Sequence, residues 1–469
     1  MNTVELKRSF TNIPRTEVWI FVFSLIIKLT ASCLLFAQNG ADFISGGDAS
    51  GYLDIGKSIA TGEGFSVGGM ASAFRTPLYP LFLSIFYFLH IPIALLPTIQ
   101  IFLLSITAVL IYRIGTSLFS AKTGFIAAIL FSIEPLLLVY ANIALSESFF
   151  TFIFVSSIYF SVKYFSTNSS KKSLALSALL IGATALTRPI GMYFPLLFLF
   201  LLFIKNRLDN NNLTAIFKPV IIYFSLFFVI ILPWLIRNEI VFGNFKLTNQ
   251  GAIQIYNERI PIVIASEKHI DYNSASLENQ KNFPNLIPNF NSAILSNTFE
   301  YNDILTREAV RVLRRGVPAL LKFHAIAAVS YFHTTGYDYV LGYFGIKSPA
   351  SVSNFTNYIF HHQWKSLVKA LLQTDLYNIV RILGYLLWFT INIAIIISII
   401  LDLKQSKKNL FSIIFMTTIV LYFATFSIGS HTQARYRIPT YPFLFILIGF
   451  ASTKIVDKLN IKSNRIYKK

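Results

Sequence analysis

The chain has 469 residues, of which 54% are hydrophobic and only 13% charged, and it carries a formal net charge of +19. A mean hydropathy of +0.60 excludes a soluble globular class and implies a polytopic membrane protein. The positive balance would suggest nucleic acid in a soluble protein, but here the cations flank apolar runs in the positive-inside manner, so no nucleic-acid partner is expected.

The opening MNTVELKRSFTNIPRTE is polar. The apolar run after it has spanning length and no small-residue cleavage site, so a retained first span is expected rather than a signal peptide. Cys33, the single cysteine, lies inside that span, which leaves no intramolecular disulfide. Segments long enough to cross a bilayer follow the chain at 17–37, 97–119, 123–140, 147–165, 173–187, 189–205, 217–236, 380–402, 409–428 and 438–453. The basic connectors hold Arg113 and Lys122; Lys163, Lys171 and Lys172; Lys205, Arg207 and Lys218; Lys404, Lys407 and Lys408; and the tail from Lys454 to Lys469. With Lys7, Arg8 and Arg15 inside, strict alternation of ten spans puts all of these on the cytoplasmic side.

The apolar stretch 77–96, PLYPLFLSIFYFLHIPIALL, breaks that parity if it crosses, because every later loop would invert. It is read as a half-embedded or interfacial outer helix, broken by Pro77, Pro80, Pro92 and Pro97. The alternative is an eleventh span with inverted topology. The expected fold is therefore an all-α polytopic membrane protein of about ten full transmembrane helices, with this outer-face helix and a mixed extracytoplasmic region. The expected units are an N-terminal membrane module (1–236) containing the first outer loop (38–96), an extracytoplasmic region (237–380), and C-terminal helices with a basic tail (381–469). Within 237–380, DILTREAVRVLRRG (303–316) followed by an apolar patch (317–332) reads as an interfacial helix lying on the outer leaflet.

This parity collects Asp48, Asp54, Glu63, Arg75, Glu147, Arg188, Arg237, Arg435 and Arg437 at one membrane face. Asp48, in GGDASGYLDIGKSIATGEGF, reads either as a solvated loop acid or as a general base on an acceptor hydroxyl. Glu147 opens an apolar segment, so it reads as a first-turn acid favoured by the helix dipole or as a second functional carboxylate. Arg75, Arg237, Arg435 and Arg437 sit where apolar segments meet the outer face. Each reads as an interfacial anchor or, since the outer side should be poor in cations, as part of a phosphate site. Tyr52 and Asn238, neighbours of Asp48 and Arg237, are expected to line an acceptor or sugar pocket. Lys28 and Glu134 fall inside spans and are expected to pair or to line a cavity. The histidines lack metal-ligand spacing, and there is no P-loop, GxGxxG or Ser-His-Asp pattern; no metal-ligand set is assigned and no cofactor is expected, a divalent metal being left open.

The order of motifs is GGDASGYLDIGKSIATGEGF, AFRTPLYPLFLSIF, YANIALSESFF, TRPIG, LPWLIRNEIVFGNF and ARYRIPTYPFL. It resembles the bacterial membrane glycosyltransferases of the GT-C type, and in particular the branch related to protein O-mannosyltransferases and lipid A aminoarabinose transferases (glycosyltransferase family 39-like). The likeness runs through most of 15–455 and is weakest across 250–375. It implies a GT-C fold in the cell (inner) membrane, with a site facing the periplasm or exterior. There a sugar would move from a polyprenyl-phosphate carrier to a glycan, lipid or protein acceptor; with Asp48 as base, direct displacement with inversion is the mechanism expected. The resemblance implies that Asp48 is the first-loop acid acting as base or orienting the acceptor, that Glu147 assists, and that Arg75 touches the carrier phosphate. Arg237, Arg435 and Arg437 are expected to contact the same phosphate. Asp48-Ala49 stands where protein mannosyltransferases usually have an adjacent Asp-Glu pair, and Phe74-Arg75-Thr76-Pro77 keeps the cation of the aminoarabinose branch without its acid. The rival classes are a transporter or lipid flippase, and a polysaccharide polymerase or ligase using polyprenyl-pyrophosphate donors.

Overall fold

The computed structural model describes residues 14–166, 170–346, 358, 362–372, 376–405, 408–427 and 434–466. Lys7, Arg8, Lys407 and Lys469, used above to orient the chain, lie outside them. The first span is α1 (Arg15–Asn39). The segment after it is built of short elements: a 3-10 turn (Asp42–Ser45), α2 (Ala49–Ala60), a hairpin of two-residue strands β1 (Ser66–Val67) and β2 (Met70–Ala71), and α3 (Leu78–Phe88). The strands pair antiparallel with Ser66 opposite Ala71. With 11 residues, α3 is about 16 Å long, well short of the roughly 30 Å of hydrocarbon in a bilayer.

Next come α4 (Leu96–Leu118), α5 (Ala121–Ile133), α6 (Pro135–Tyr140), α7 (Glu147–Ser166), α8 (Lys171–Thr187), α9 (Phe194–Leu208) and α10 (Phe217–Phe242). A helical region follows, the one the sequence reading takes as the outer region: α11 (Gln250–Gln254), α12 (Ile260–Lys268), α13 (Tyr272–Lys281), α14 (Phe283–Leu286), α15 (Ser292–Asn297), α16 (Asn302–Arg315), α17 (Val317–His333), α18 (Tyr337–Tyr343) and α19 (Trp364–Leu371). The chain closes with α20 (Leu376–Gln405), α21 (Leu410–Ser427) and α22 (Tyr441–Ile466). Among the described residues seven helical stretches are long and apolar enough to cross a membrane, built on α1, α4, α7, α9, α10, α20 and α22. The three remaining segments of the expected ten fall on shorter elements: the pair α5–α6, the 17-residue α8, and α21. The chain is a multi-pass membrane protein.

Close helix packing at the centre depends on missing side chains. A Cβ on Gly115 of α4 would stand 2.6 Å from Gly124 Cα of α5, and one on Gly449 of α22 would stand 2.5 Å from the Thr123 carbonyl oxygen. Three helices therefore meet backbone to backbone, the small-residue contact that replaces the hydrophobic effect between helices in lipid. Gly124→Val is expected to force α4 and α5 apart and to cost about 3 kcal/mol, the upper end of ordinary overpacking. The thermal midpoint of the detergent-solubilised variant checks this; an unchanged midpoint refutes the crossing.

The third span is broken, and the break explains a buried charge. Glu134 is extended (φ −60°, ψ 117°), and Pro135 has no N–H, so carbonyls at the end of α5 lose their intrahelical donors. Lys28 of α1 supplies them: its Nζ donates to Ser132 O at 3.0 Å, Phe131 O at 3.5 Å and Ser24 Oγ at 3.0 Å. The expected Lys28–Glu134 pairing is not formed. Glu134 instead accepts from Tyr337 Oη at 3.2 Å.

The outer region has its own apolar core, which includes Tyr256, Ile260, Val263, Phe283, Leu305, Ala309 and Val312. This corrects the reading of 303–316 as a helix lying on the leaflet. Leu305, Ala309 and Val312 form one stripe of α16 and are 0%, 1% and 3% exposed, so the apolar face is spent on protein. The region is laced to the first outer loop, since Ala73 N donates to Asn297 O and Asn249 N to Ala73 O.

Candidate active site

The 141–147 turn and the first outer loop are held together before any charged group is considered. Ala144 N donates to Ile44 O at 2.9 Å. Gln100 of α4 donates to Ala141 O and Ile143 O, and itself accepts from Tyr79 of α3. Ser32 of α1 donates to Asn142 Oδ1 at 2.5 Å. These buried polar contacts put the start of α2 and the start of α7 side by side.

Asp48 sits at the first of these starts, after Gly47, whose φ of +61° is a backbone conformation glycine adopts without strain. It occupies the N-cap of α2 yet makes no side-chain cap hydrogen bond. Its carboxylate is left for other partners. Arg435 Nη2 donates to Asp48 Oδ2 at 2.8 Å, and Arg75 Nη2 stands 3.8 Å from Oδ1. Partial burial pushes the Asp48 carboxyl up, but the Arg435 hydrogen bond and the charges of Arg435, Arg75 and Arg188 outweigh it, so the group ionises below the usual carboxylate range.

Glu147, the first residue of α7, is bound by Arg188 Nη1 at 2.9 Å, and its charge also feels Arg435. Arg188 is the functional candidate to which sequence reasoning gave no role. Its place in TRPIG, on a short outer turn between α8 and α9, was the available signal. Arg75 lies over the Tyr52 ring at 4.5 Å and the Phe74 ring at 4.9 Å, and the Tyr52 hydroxyl is 3.3 Å from Ser146 Oγ. Tyr52 thus orients Arg75 from within the site. The two acids differ in access: the side chain of Asp48 is 47% exposed and that of Glu147 4%. Asp48 is open to a substrate, whereas Glu147 is buried against Arg188.

Three expected site residues lie elsewhere. Arg237 donates to Ser72 O, Phe65 O and Asn238 Oδ1 and packs on Trp234 and Phe242, so its guanidinium clamps the loop hairpin instead of facing Asp48. Asn238 is fully buried and donates to Lys246 O and Leu247 O, closing the turn after α10. Arg437 is also fully buried. It donates to Tyr331 O and Tyr441 Oη and lies 4.2 Å over Trp388. In the 3-10 turn Ala434–Thr440, Arg435 and Arg437 are two residues apart and point to different environments, which a linear reading of ARYR does not separate.

Among the described residues, three guanidiniums (Arg75, Arg188, Arg435) and two carboxylates (Asp48, Glu147) therefore converge from four separate segments, a cluster with one more positive than negative charge beside a half-exposed acid. Such a constellation can hold a singly charged phosphodiester while presenting a carboxylate to a hydroxyl.

Residues 68–249 match the family model of the dolichyl-phosphate-mannose-protein mannosyltransferases. No curated protein matches the chain in sequence. In structure, the chain is similar to the oligosaccharyltransferase of Archaeoglobus fulgidus in its apo form. The TM-score is 0.52 at 14% identity, covering 96% of this chain and 51% of the other. The same archaeal enzyme, AglB, in complex with an inhibitory peptide and a dolichol-phosphate, aligns with a TM-score of 0.50 at 13% identity over 95% and 52%. ArnT from Cupriavidus metallidurans bound to undecaprenyl phosphate aligns with a TM-score of 0.40 at 11% identity over 91% and 77%. The chain spans about half the length of the oligosaccharyltransferase. Over residues 68–249 this chain is similar in sequence to the dolichyl-phosphate-mannose-protein mannosyltransferases, and its fold is that of the GT-C membrane glycosyltransferases.

Proposed function

We propose that this protein is a glycosyltransferase that moves a sugar from a polyprenyl-phosphate carrier to an acceptor hydroxyl at the extracytoplasmic face of the cell (inner) membrane, with inversion. Residues 1–236 form the catalytic module and 237–380 cover it. The observation that carries this reading is Asp48 held between Arg435 and Arg75, beside the Glu147–Arg188 pair. The family matched by residues 68–249 is named for a dolichyl-phosphate-linked sugar, which supports the same donor class.

In the proposed step the acceptor oxygen attacks the anomeric carbon, the bond from that carbon to the phosphate oxygen breaks, and the acceptor proton passes to Asp48 Oδ. The leaving group is polyprenyl phosphate, so negative charge builds on the phosphate as the bond breaks. Arg75 and Arg435 stabilise that charge, with Arg188 behind them. Through the Arg435 hydrogen bond and their charge, the same arginines lower the basicity of Asp48. A phosphate that draws them away restores it, so the base is strongest when the donor is in place.

Among the described residues the cluster's excess of one positive charge favours a donor of one negative charge, a sugar phosphodiester, over a pyrophosphate donor of two. Purified protein in nanodiscs, given polyprenyl-phosphate and polyprenyl-pyrophosphate sugars separately, is expected to release polyprenyl monophosphate from the first. Transfer only from the pyrophosphate donor would assign the protein to the polymerase or ligase class instead, and transfer from neither sinks the proposal.

A further inference from the structure

On one flank of the charged cluster stands a group of three tyrosines. Tyr339 and Tyr343 lie one turn apart on α18, with hydroxyls 3.0 Å apart and ring centroids 5.3 Å apart at 80°. Tyr140, at the end of α6, faces Tyr339 at 6.5 Å with an interplanar angle of 25°. Phe43, five residues before Asp48, lies edge-on to Tyr343 at 6.4 Å. The charge of Arg435 reaches both Tyr140 and Tyr343.

The position of α18 is set from both ends. Gly336, at φ +70°, lies so close to Ala434 that a Cβ would stand 2.8 Å from the Ala434 Cβ, and 2.9 Å from Leu136 of α6. Tyr337 is tied to Glu134, and Asn39 of α1 donates to Tyr343 O at 2.8 Å. The helix is therefore fixed to the residue preceding Arg435, to the broken span and to the root of the first outer loop.

Yet Tyr339 remains 49% exposed, while Tyr140 beside it is 5% exposed. A ring held by a hydroxyl contact and two aromatic neighbours, but left half open, presents a stiff apolar face with a polar edge. That combination matches a pyranose ring, whose C–H face stacks on an aromatic plane while its hydroxyls meet polar groups at the rim. Resting on the function proposed above, we propose that Tyr339, backed by Tyr343 and Tyr140, forms the subsite for the sugar ring of the donor, next to the arginines that hold its phosphate. Tyr339 and Tyr343 lie outside residues 68–249, so two of the three rings come from a part of the chain that the family match does not cover, and Tyr140 from the part that it does.

The test compares polyprenyl phosphate with the same lipid carrying mannose or aminoarabinose, each measured by equilibrium binding to full-length protein in nanodiscs. Tyr339→Ala is expected to weaken binding of at least one glycosylated lipid about tenfold and to leave the bare lipid phosphate within twofold of wild type. Tyr339→Phe is expected to retain most of the glycosylated-lipid affinity, because the stacking face survives. The subsite is overturned if Tyr339→Ala matches wild type for all three lipids, or if it weakens bare and glycosylated lipids equally. Failure of the wild type to bind any of the three would instead overturn the donor assignment, and the subsite with it.

Discussion

Asp48→Asn is expected to lower the transfer rate by about 10²–10⁴-fold, the usual worth of a positioned general base. The amide cannot take the acceptor proton, but it occupies the same volume and still offers an oxygen to Arg435. Folding and donor binding are therefore expected to stay close to wild type. The measurement is kcat alongside thermal midpoint and equilibrium binding of polyprenyl phosphate; near-normal kcat in the stable variant excludes Asp48 as the base. The pH dependence follows from the same contacts. The arginines hold the carboxyl below the usual carboxylate range, so the free enzyme keeps Asp48 ionised until pH falls through that lowered value. The acid limb of kcat/KM is expected there rather than at the position of an ordinary aspartate. The sign for stability is the same: the ion pairs contribute above the unfolded-state pKa and are lost as pH drops through the folded one.

Arg435→Ala is expected to cost about 10²–10³-fold in kcat, the scale seen when one donor to a developing anion is removed. Arg435 is the residue shared by both halves of the mechanism, since it bonds Asp48 at 2.8 Å and its charge reaches Glu147. Its removal also takes away the strongest influence lowering the Asp48 carboxyl. The burial that raises that group would then be less opposed, so the acid limb of kcat/KM is expected to move to higher pH. Loss of rate together with an upward shift supports the shared role; loss of rate with an unmoved limb would confine Arg435 to the phosphate. Arg435→Lys keeps the charge but not the planar fork, and is expected to fall between alanine and wild type.

Much of the fold was legible because the bilayer is a stringent solvent. Apolar runs of spanning length, with lysines and arginines concentrated in alternate short connectors, identify a multi-pass helical protein and put Asp48, Arg75, Glu147, Arg188 and Arg435 at ends of apolar segments that the parity brings to one side. The motif order pointed to GT-C glycosyltransferases, and the family match and fold agree. The same reasoning failed where a residue had two chemically equal options. The stripe Leu305, Ala309, Val312 suits a lipid surface as well as a protein core, and hydropathy does not distinguish them; the neighbouring helices α11–α14 did. Lys28 and Glu134 are opposite charges in adjacent spans, but the carbonyls freed at the break before Pro135 are a nearer partner for the ammonium.

What the sequence indicated by itself was that Asp48, Arg75, Glu147, Arg188 and Arg435 stand at ends of apolar segments where they could gather, a reading that depends on the count of those segments, and the structure does bring these five together. Tertiary structure alone decided which charges meet. Asp48 and Arg435 are 387 positions apart and touch because α1, α4 and α7 bring the 141–147 turn against the first loop while the 434–440 turn closes over both. Arg237 and Arg437 carry the same guanidinium at the same face, yet backbone carbonyls and aromatic rings absorb their charge. A guanidinium satisfies its donors with whatever the packed fold places within about 3 Å, and that distance is a property of the assembled helices rather than of the residue's own neighbours in sequence.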